Sequence, residues 1–271
     1  MRLRSLVLIL STAAFANTGG VSTHSGIEYT RAAGIPLCMD AAIPAGSGPF
    51  PAAIIVHGGA WVRGDRRIDV QPLFQPLTQA GFAWFSISYR LMTDATQFGV
   101  AVQDVEAAIR FVKSHAAEYR VDPNRIALIG ESAGGQLAAM AALDEAPDLK
   151  VRGVVALYAP TDLLSLAKSS TYVPQWVRDN LTGSAFAWLI NARLKQLSPI
   201  EHVRRDMPPF LLIHGTADPL VPFAQSRAMC DRMTAAGASC ELYPVQGAGH
   251  GIRWWQSQAY KHEIVRWLKE H

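Results

Sequence analysis

Short apolar runs punctuate the chain: "AAIIV" at 52–56, "FAWFSIS" at 82–88, "RIALIG" at 125–130, "VRGVVALY" at 151–158, "FLLIH" at 210–214 and "CELYPV" at 240–245. Runs this short and this continuously apolar suit strands buried on both faces of a parallel sheet. Between the second and third runs, Ala101, Val105, Ala108, Ile109 and Val112 recur at helical spacing and predict a crossover helix with one apolar stripe. Similar helical patterns over 132–143, 222–236 and 254–269 complete a strand–helix alternation. The pattern predicts an α/β fold, a mostly parallel, doubly wound sheet flanked by helices, with an antiparallel start over residues 26–43.

One stretch breaks the alternation. Residues 162–205 separate two predicted strands by far more chain than a crossover turn needs. An insertion at that point lies over the carboxyl ends of the strands, where open α/β sheets bind ligands, and it is read as a small cap. No repeat, charge block or low-complexity linker divides the remainder, so residues 17–271 are expected to form one domain. The first sixteen residues read as a signal peptide. Arg2 and Arg4 precede the apolar run "SLVLILSTAAF", and Ala14-Phe15-Ala16 supplies a small-residue cleavage signal. That run is too short for a membrane span, which implies a secreted or periplasmic mature chain with no transmembrane segment.

Composition narrows the function classes. The 271 residues are 49% hydrophobic and 17% charged, as in an ordinary globular enzyme, and the net charge is +3. Removing Arg2 and Arg4 with the signal leaves 23 basic against 22 acidic side chains, a balance that does not favour nucleic acid or an anionic membrane surface as partner. Of three cysteines, Cys230 and Cys240 flank a helix–turn–strand pattern and either form a disulfide or serve as small buried hydrophobes. No cysteine or histidine spacing supports a metal site.

The strongest chemical signal is Gly130-Glu131-Ser132-Ala133-Gly134, a G-x-S-x-G between a predicted strand and a predicted helix. Small residues two positions either side of the serine let flanking backbone pass closely while a strained turn presents the hydroxyl, so Ser132 is read as a nucleophile rather than a plain helix cap. Glu131 is expected to face away from the developing oxyanion, where its charge would raise the barrier. Of eight histidines, His250 in the glycine-rich "QGAGHG" follows the last strand and suits the general base. Asp218, in a turn stiffened by Pro219 and Pro222, suits the acid that orients it; Asp162 in "APTD" is the rival. His214 is expected to be structural, buried behind that turn. His57 in "VHGGAW" is either a rival base or, the favoured reading, a group that orients its own loop by bonding nearby main chain.

Together "HGGAW", "GESAGG", "DPLVP" and "GAGHG" resemble the α/β-hydrolase fold, and within it the hormone-sensitive-lipase-like bacterial carboxylesterases. The resemblance spans roughly residues 30–270 and runs to the HGGxW branch, which includes bacterial feruloyl and acetyl esterases and the arylformamidases. It implies Ser132 as nucleophile, Asp218 as acid and His250 as base. It also implies an oxyanion hole of backbone N–H groups from Gly59, Ala60 and Ala133, and no metal or organic cofactor. Two departures matter: Ala60 stands where many lipase-like members have a third glycine, and "SYRLMTD" lacks their Asp-Tyr-Arg-Leu-Ala-Pro-Glu form. The expected substrate is a small ester or esterified oligosaccharide, short-chain or hydroxycinnamoyl. Of the tryptophans near the proposed site loops and cap (Trp61, Trp176, Trp188, Trp254 and Trp255), Trp61 and Trp188 are expected to contact it. An arylformamidase-like amide hydrolase and a catalytically inactive binding module are the alternatives.

Overall fold

The computed structural model describes residues 20–93, 97, 99–170, 179, 181, 185–251 and 258–271. The signal segment, Trp176, Trp254, Trp255 and part of the cap lie outside the described residues. Eight strands form one sheet: β1 (Ser22–Ala32), β2 (Ile35–Ile43), β3 (Phe50–Val56), β4 (Ala83–Ile87), β5 (Val121–Glu131), β6 (Gly153–Leu157), β7 (Phe210–Gly215) and β8 (Cys240–Val245). Their spatial order is β1-β2-β4-β3-β5-β6-β7-β8. The β1–β2 and β2–β4 pairs are antiparallel and the rest parallel. This is the expected doubly wound α/β-hydrolase architecture with its antiparallel start.

Strict alternation along the central strands serves two cores. Ile54, Val56, Leu128, Val154 and Leu212 face one, where they meet Val105, Ile109 and Val112 of α2 (Val100–Ser114) and Leu137 and Ala141 of α3 (Ala133–Ala142). Ala53, Ile55, Ile129, Val155, Leu211 and Ile213 face the other, against Leu77 of α1 (Phe74–Gln79) and against Ile264 and Trp267 near the C-terminus. Each fully buried Ile or Leu contributes about 1.5–3 kcal/mol, so a sheet covered on both faces makes a rigid platform for whatever stands at its edge. α1 was not legible in the sequence: "FQPLTQ" is too short to show a helical period and contains Pro76. β8 departs from the expected double burial. It is the sheet's edge strand, half-exposed along most of its length, and tolerates Pro244 because one side needs no donor.

The cap region contributes α4 (Leu163–Ser169) and α5 (Ala187–Gln196) between β6 and β7; α6 (Ala224–Ala235) and α7 (Gln258–Glu270) follow β7 and β8. A Cys230–Cys240 disulfide joins α6 to β8 and settles the choice left open by the sequence. Among the described residues no helix is long and apolar enough to cross a membrane.

The long connection from β3 to α1 is pinned by a buried charge. Asp40 on β2 accepts from Gly26 N at 2.7 Å, Ser25 Oγ at 2.9 Å and Arg67 Nε at 2.5 Å, with Arg66 Nε at 3.2 Å. Arg66 also donates to Ser88 Oγ, while its carbonyl accepts from Ser86 Oγ. Burial alone would push the Asp40 carboxyl up, but these donors outweigh it and hold the group at about 2. A carboxyl depressed in the folded state stabilises the fold above its unfolded pKa of about 4, and that stability is lost as pH falls through about 2. Asp40→Asn should therefore cost on the order of 1 kcal/mol at pH 7, allowing for partial exposure. The gap from the parent protein in urea unfolding should narrow between pH 4 and pH 3.

Candidate active site

Five strand ends converge on one cavity. Ser132 follows β5 with φ 50° and ψ −120°, a left-handed conformation that a non-glycine residue holds only where neighbours enforce it. Its amide donates to Leu157 O at 2.8 Å, and its carbonyl accepts from Gly135 N and Gln136 N to start α3. The glycine at 134 is obligatory for packing: a Cβ there would sit 2.2 Å from His57 O and 2.3 Å from Val56 O. α3 thus begins directly against the end of β3, and the serine and the His57 loop share one wall.

His250 Nε2 lies 2.9 Å from Ser132 Oγ, and His250 Nδ1 lies 2.7 Å from Asp218 Oδ2. The other carboxylate oxygen, Oδ1, accepts from Leu220 N at 2.9 Å and Val221 N at 3.0 Å. Burial would raise the Asp218 carboxyl, yet hydrogen bonds from His214 and His250 pull it far below the usual range, so it stays ionised. Asp162 is elsewhere engaged, capping α4 through Ser165 N at 2.9 Å. Other histidines bond locally, His115 to Phe111 O and His202 to Gln196 O.

The "HGGAW" loop presents backbone. Gly59, Ala60 and Trp61 have φ of 106°, 52° and 63°, and the turn closes through Val62 N and Arg63 N onto Gly59 O. Among the described residues the N–H groups of Gly59, Ala60 and Ala133 have no acceptor, and all three residues line the cavity with Ser132. His57 is buried, donates from Nδ1 to Gly58 O at 2.8 Å and stacks on Tyr89 at 4.3 Å, whose hydroxyl donates to the His57 and Gly58 carbonyls. It braces the loop, as the favoured reading held. Burial lowers its pKa, keeping the ring neutral.

Glu131 is fixed by two donors. It lines the cavity, with Oε1 accepting from Gly58 N at 3.2 Å and Oε2 from the Tyr158 hydroxyl, and the Tyr158 ring meets the His250 ring edge-on at 4.7 Å. Burial raises its pKa although both bonds oppose the rise. Its charge is tied to two donors behind the site, which answers the electrostatic objection.

The cavity, about 390 Å³, is walled by Ala60, Trp61, Tyr158, Pro160, Leu166 and Val221 beside Ser132 and His250. Trp61 is where the sequence placed it. Trp188 is not: it is 70% exposed on α5 and absent from the cavity wall, because α5 buries none of its residues. An adjoining open cleft is polar, formed by Arg63, Asp65, Asp69 and Glu131 with Ile68. Among the described residues no group of three or more His, Cys, Asp or Glu side chains is arranged to hold a metal ion.

Gln136 was overlooked in the sequence, although a lone amide in the apolar run 133–143 is itself a signal. It is 1% exposed, accepts from Trp61 Nε1 at 2.9 Å and donates to Leu197 O at 2.8 Å, joining the loop, α3 and the cap's return. Gln136→Leu leaves the buried Leu197 carbonyl without the Gln136 amide, at a cost of about 1–3 kcal/mol, and removes the bond to Trp61 Nε1. It should lower the melting temperature and cut kcat for p-nitrophenyl acetate, and in a double-mutant cycle its loss should add less than fully to that of Trp61→Phe.

Comparison with known proteins shows the family of the chain. A family model described as BD-FAE matches residues 39–233, from β2 through most of α6, and so includes Ser132 and Asp218. The chain is 33% identical over 204 residues to esterase LipQ of Mycobacterium tuberculosis, covering 71% of this chain and 48% of LipQ. It is 33% identical over 221 residues to esterase LipC of the same organism, covering 75% of this chain and 53% of LipC. The chain spans about half the length of the curated relatives it matches. Among solved structures it resembles a truncated carbohydrate esterase from gut microbiota, with TM-score 0.77 and 28% identity over 92% of this chain and 95% of that one. It also resembles the butyrate-bound esterase 2 of Thermogutta terrifontis, with TM-score 0.73 and 25% identity over 92% of each chain. The chain therefore belongs to the BD-FAE family of hormone-sensitive-lipase-like α/β-hydrolase esterases.

Proposed function

We propose that the protein is a serine carboxylic ester hydrolase. The observation that carries this reading is the unbroken chain from Ser132 Oγ through His250 to Asp218, with bonds of 2.9 and 2.7 Å, beside three unengaged backbone donors. Ser132 Oγ attacks the acyl carbonyl carbon as its proton passes to His250 Nε2. The carbonyl π electrons move to oxygen, and the N–H groups of Gly59, Ala60 and Ala133 receive the negative charge. Collapse expels the alkoxide, which takes the proton from His250 and leaves an acyl-serine. Water, deprotonated by the same ring, then releases the acid and restores Ser132. Asp218 holds the ring's tautomer and faces the imidazolium formed in each half-reaction. This sequence calls for no metal or organic cofactor.

The acyl group occupies the apolar cavity beside Trp61, a space suited to a short or single-ring acyl chain. The alcohol leaves toward the polar cleft of Arg63, Asp65 and Asp69, which favours a hydroxyl-rich alcohol such as a sugar. One structural relative is described as a carbohydrate esterase and another was solved with butyrate bound, which supports short-chain esters of saccharides as substrates. The disulfide supports a secreted or periplasmic setting.

Ser132→Ala should abolish both turnover of p-nitrophenyl acetate and labelling by a fluorophosphonate, with the melting temperature unchanged within a few degrees. Retained activity would remove the mechanism. Initial rates on acetylated xylan, methyl ferulate and N-formylkynurenine sort the substrates, and the highest kcat/KM is expected on the acetylated or feruloylated esters. A clear preference for N-formylkynurenine would make the enzyme an aryl-formamide hydrolase.

A further inference from the structure

His214 is completely buried near the end of β7, four residues before Asp218. Its Nδ1 lies 2.7 Å from Ser226 Oγ on α6, and its Nε2 lies 2.8 Å from Val221 O and 3.2 Å from Asp218 Oδ2. These partners determine the tautomer. A carbonyl accepts only, so Nε2 must carry the proton that bonds Val221 O, with Asp218 Oδ2 3.2 Å away on the same side; Nδ1 is then left to accept the Ser226 hydroxyl proton. Phe223 meets the ring edge-on at 5.8 Å and closes its remaining side.

The Asp218 carboxylate is thereby held at every oxygen. Oδ1 is fixed by the Leu220 and Val221 amides, and Oδ2 is shared between the His214 and His250 rings. With one direction at Oδ2 taken by His214, the lone pair that remains points at His250 Nδ1. The buried polar chain runs Ser226, His214, Asp218, His250, Ser132, with hydrogen bonds at each link except His214–Asp218, where Nε2 lies 3.2 Å from Oδ2.

We infer that His214, backed by Ser226, is a positioning residue that aims the Asp218 carboxylate at His250 and so sets the reactivity of Ser132. The inference rests on the triad reading given above. A second ring on the acid matters because catalysis depends on alignment when charge develops on His250, and a misplacement on the ångström scale costs about 100-fold in rate. Removing Nε2–H leaves Oδ2 with one donor in a water-poor pocket, and the carboxylate then rotates to improve its solvation. The effect falls on the chemical step and not on substrate binding, since His214 does not line the cavity.

The test compares the parent enzyme with His214→Leu, His214→Gln, Ser226→Ala and Ser132→Ala. The readouts are kcat and KM for p-nitrophenyl acetate, the rate of fluorophosphonate labelling, and the melting temperature. His214→Leu is expected to lose about 10- to 100-fold in kcat and in labelling rate with KM within about twofold. His214→Gln, whose amide restores a donor near the Nε2 position, should recover most of that loss, and Ser226→Ala should show a smaller fall in both rates. A folded His214→Leu enzyme that labels at the parental rate overturns the inference, as does a loss confined to KM or a Gln variant no better than Leu. If His214→Leu does not fold, Ser226→Ala decides: slowed labelling at a near-parental melting temperature supports the inference, and parental labelling overturns it. Failure of the parent enzyme itself to label, or labelling that survives in Ser132→Ala, strikes the triad reading instead and is distinguishable from every outcome above.

Discussion

The start of α3 presses so closely on the end of β3 that only a hydrogen fits between Gly134 and the carbonyls of Val56 and His57. Everything at the site inherits its geometry from that contact. It forces Ser132 into a left-handed turn, brings the Ala133 amide beside the Gly59–Ala60 segment, and places the nucleophile and the anion-binding backbone in one rigid unit. Neither element would hold its conformation alone, because Ser132, Ala60 and Trp61 all sit at positive φ with side chains that disfavour it. The strain is offset by the two apolar cores beneath, which leave the strand ends no freedom to relax.

Buried polar side chains gather at this end of the sheet. Glu131, Gln136, His214, Ser198 and Gln225 are each paired: Glu131 with Gly58 N and Tyr158, Gln136 with Trp61 and Leu197, Ser198 with Leu163 N, and Gln225 with the Thr161 and Asp162 amides. Burying such groups costs free energy unless every one is satisfied, and hydrophobic replacements would stabilise a fold more cheaply. What they supply is direction. A methyl-lined core fixes distances to within a rotamer, whereas a carboxylate bonded to one named amide fixes which atom faces the cavity. The oxyanion loop, the cap's return and the acid's turn are all held in this way.

Periodicity made the sheet legible in the sequence because the central strand runs are apolar enough to fill both cores, and the proposed nucleophile, base and acid were legible because their turns demand glycine and proline at set spacings. The structure brings Ser132, Asp218 and His250 together as read, and sends Asp162 to cap a helix. The supporting residues were harder to see. Tyr89, Tyr158 and Gln136 act across gaps of tens of residues, so no local spacing announces them. What holds Glu131 was hidden for a related reason: its charge beside the nucleophile looked unfavourable until its two donors, contributed by other strand ends, came into view. Trp188 was assigned to substrate from its position in the insertion, but lying in an insertion does not tell which way a helix with no buried face is turned.

The arrangement separates the chemistry from the choice of substrate. On the proposed reading, the groups that make and break bonds stand on the turns after β3, β5, β7 and β8, all bonded into the sheet. The two adjoining spaces differ in kind: apolar walls from Trp61, Leu166 and Val221 line one, and exposed charges from Arg63 and Asp65 line the other. Arg63 and Asp65 are exposed yet tied to the same turn: Arg63 N closes it onto Gly59 O, Gly64 leaves no room for a Cβ beside His57 Nδ1, and Asp65 Oδ1 accepts from the Arg67 and Ile68 amides, so the segment and the turn are held together where Arg66 and Arg67 anchor the chain to Asp40.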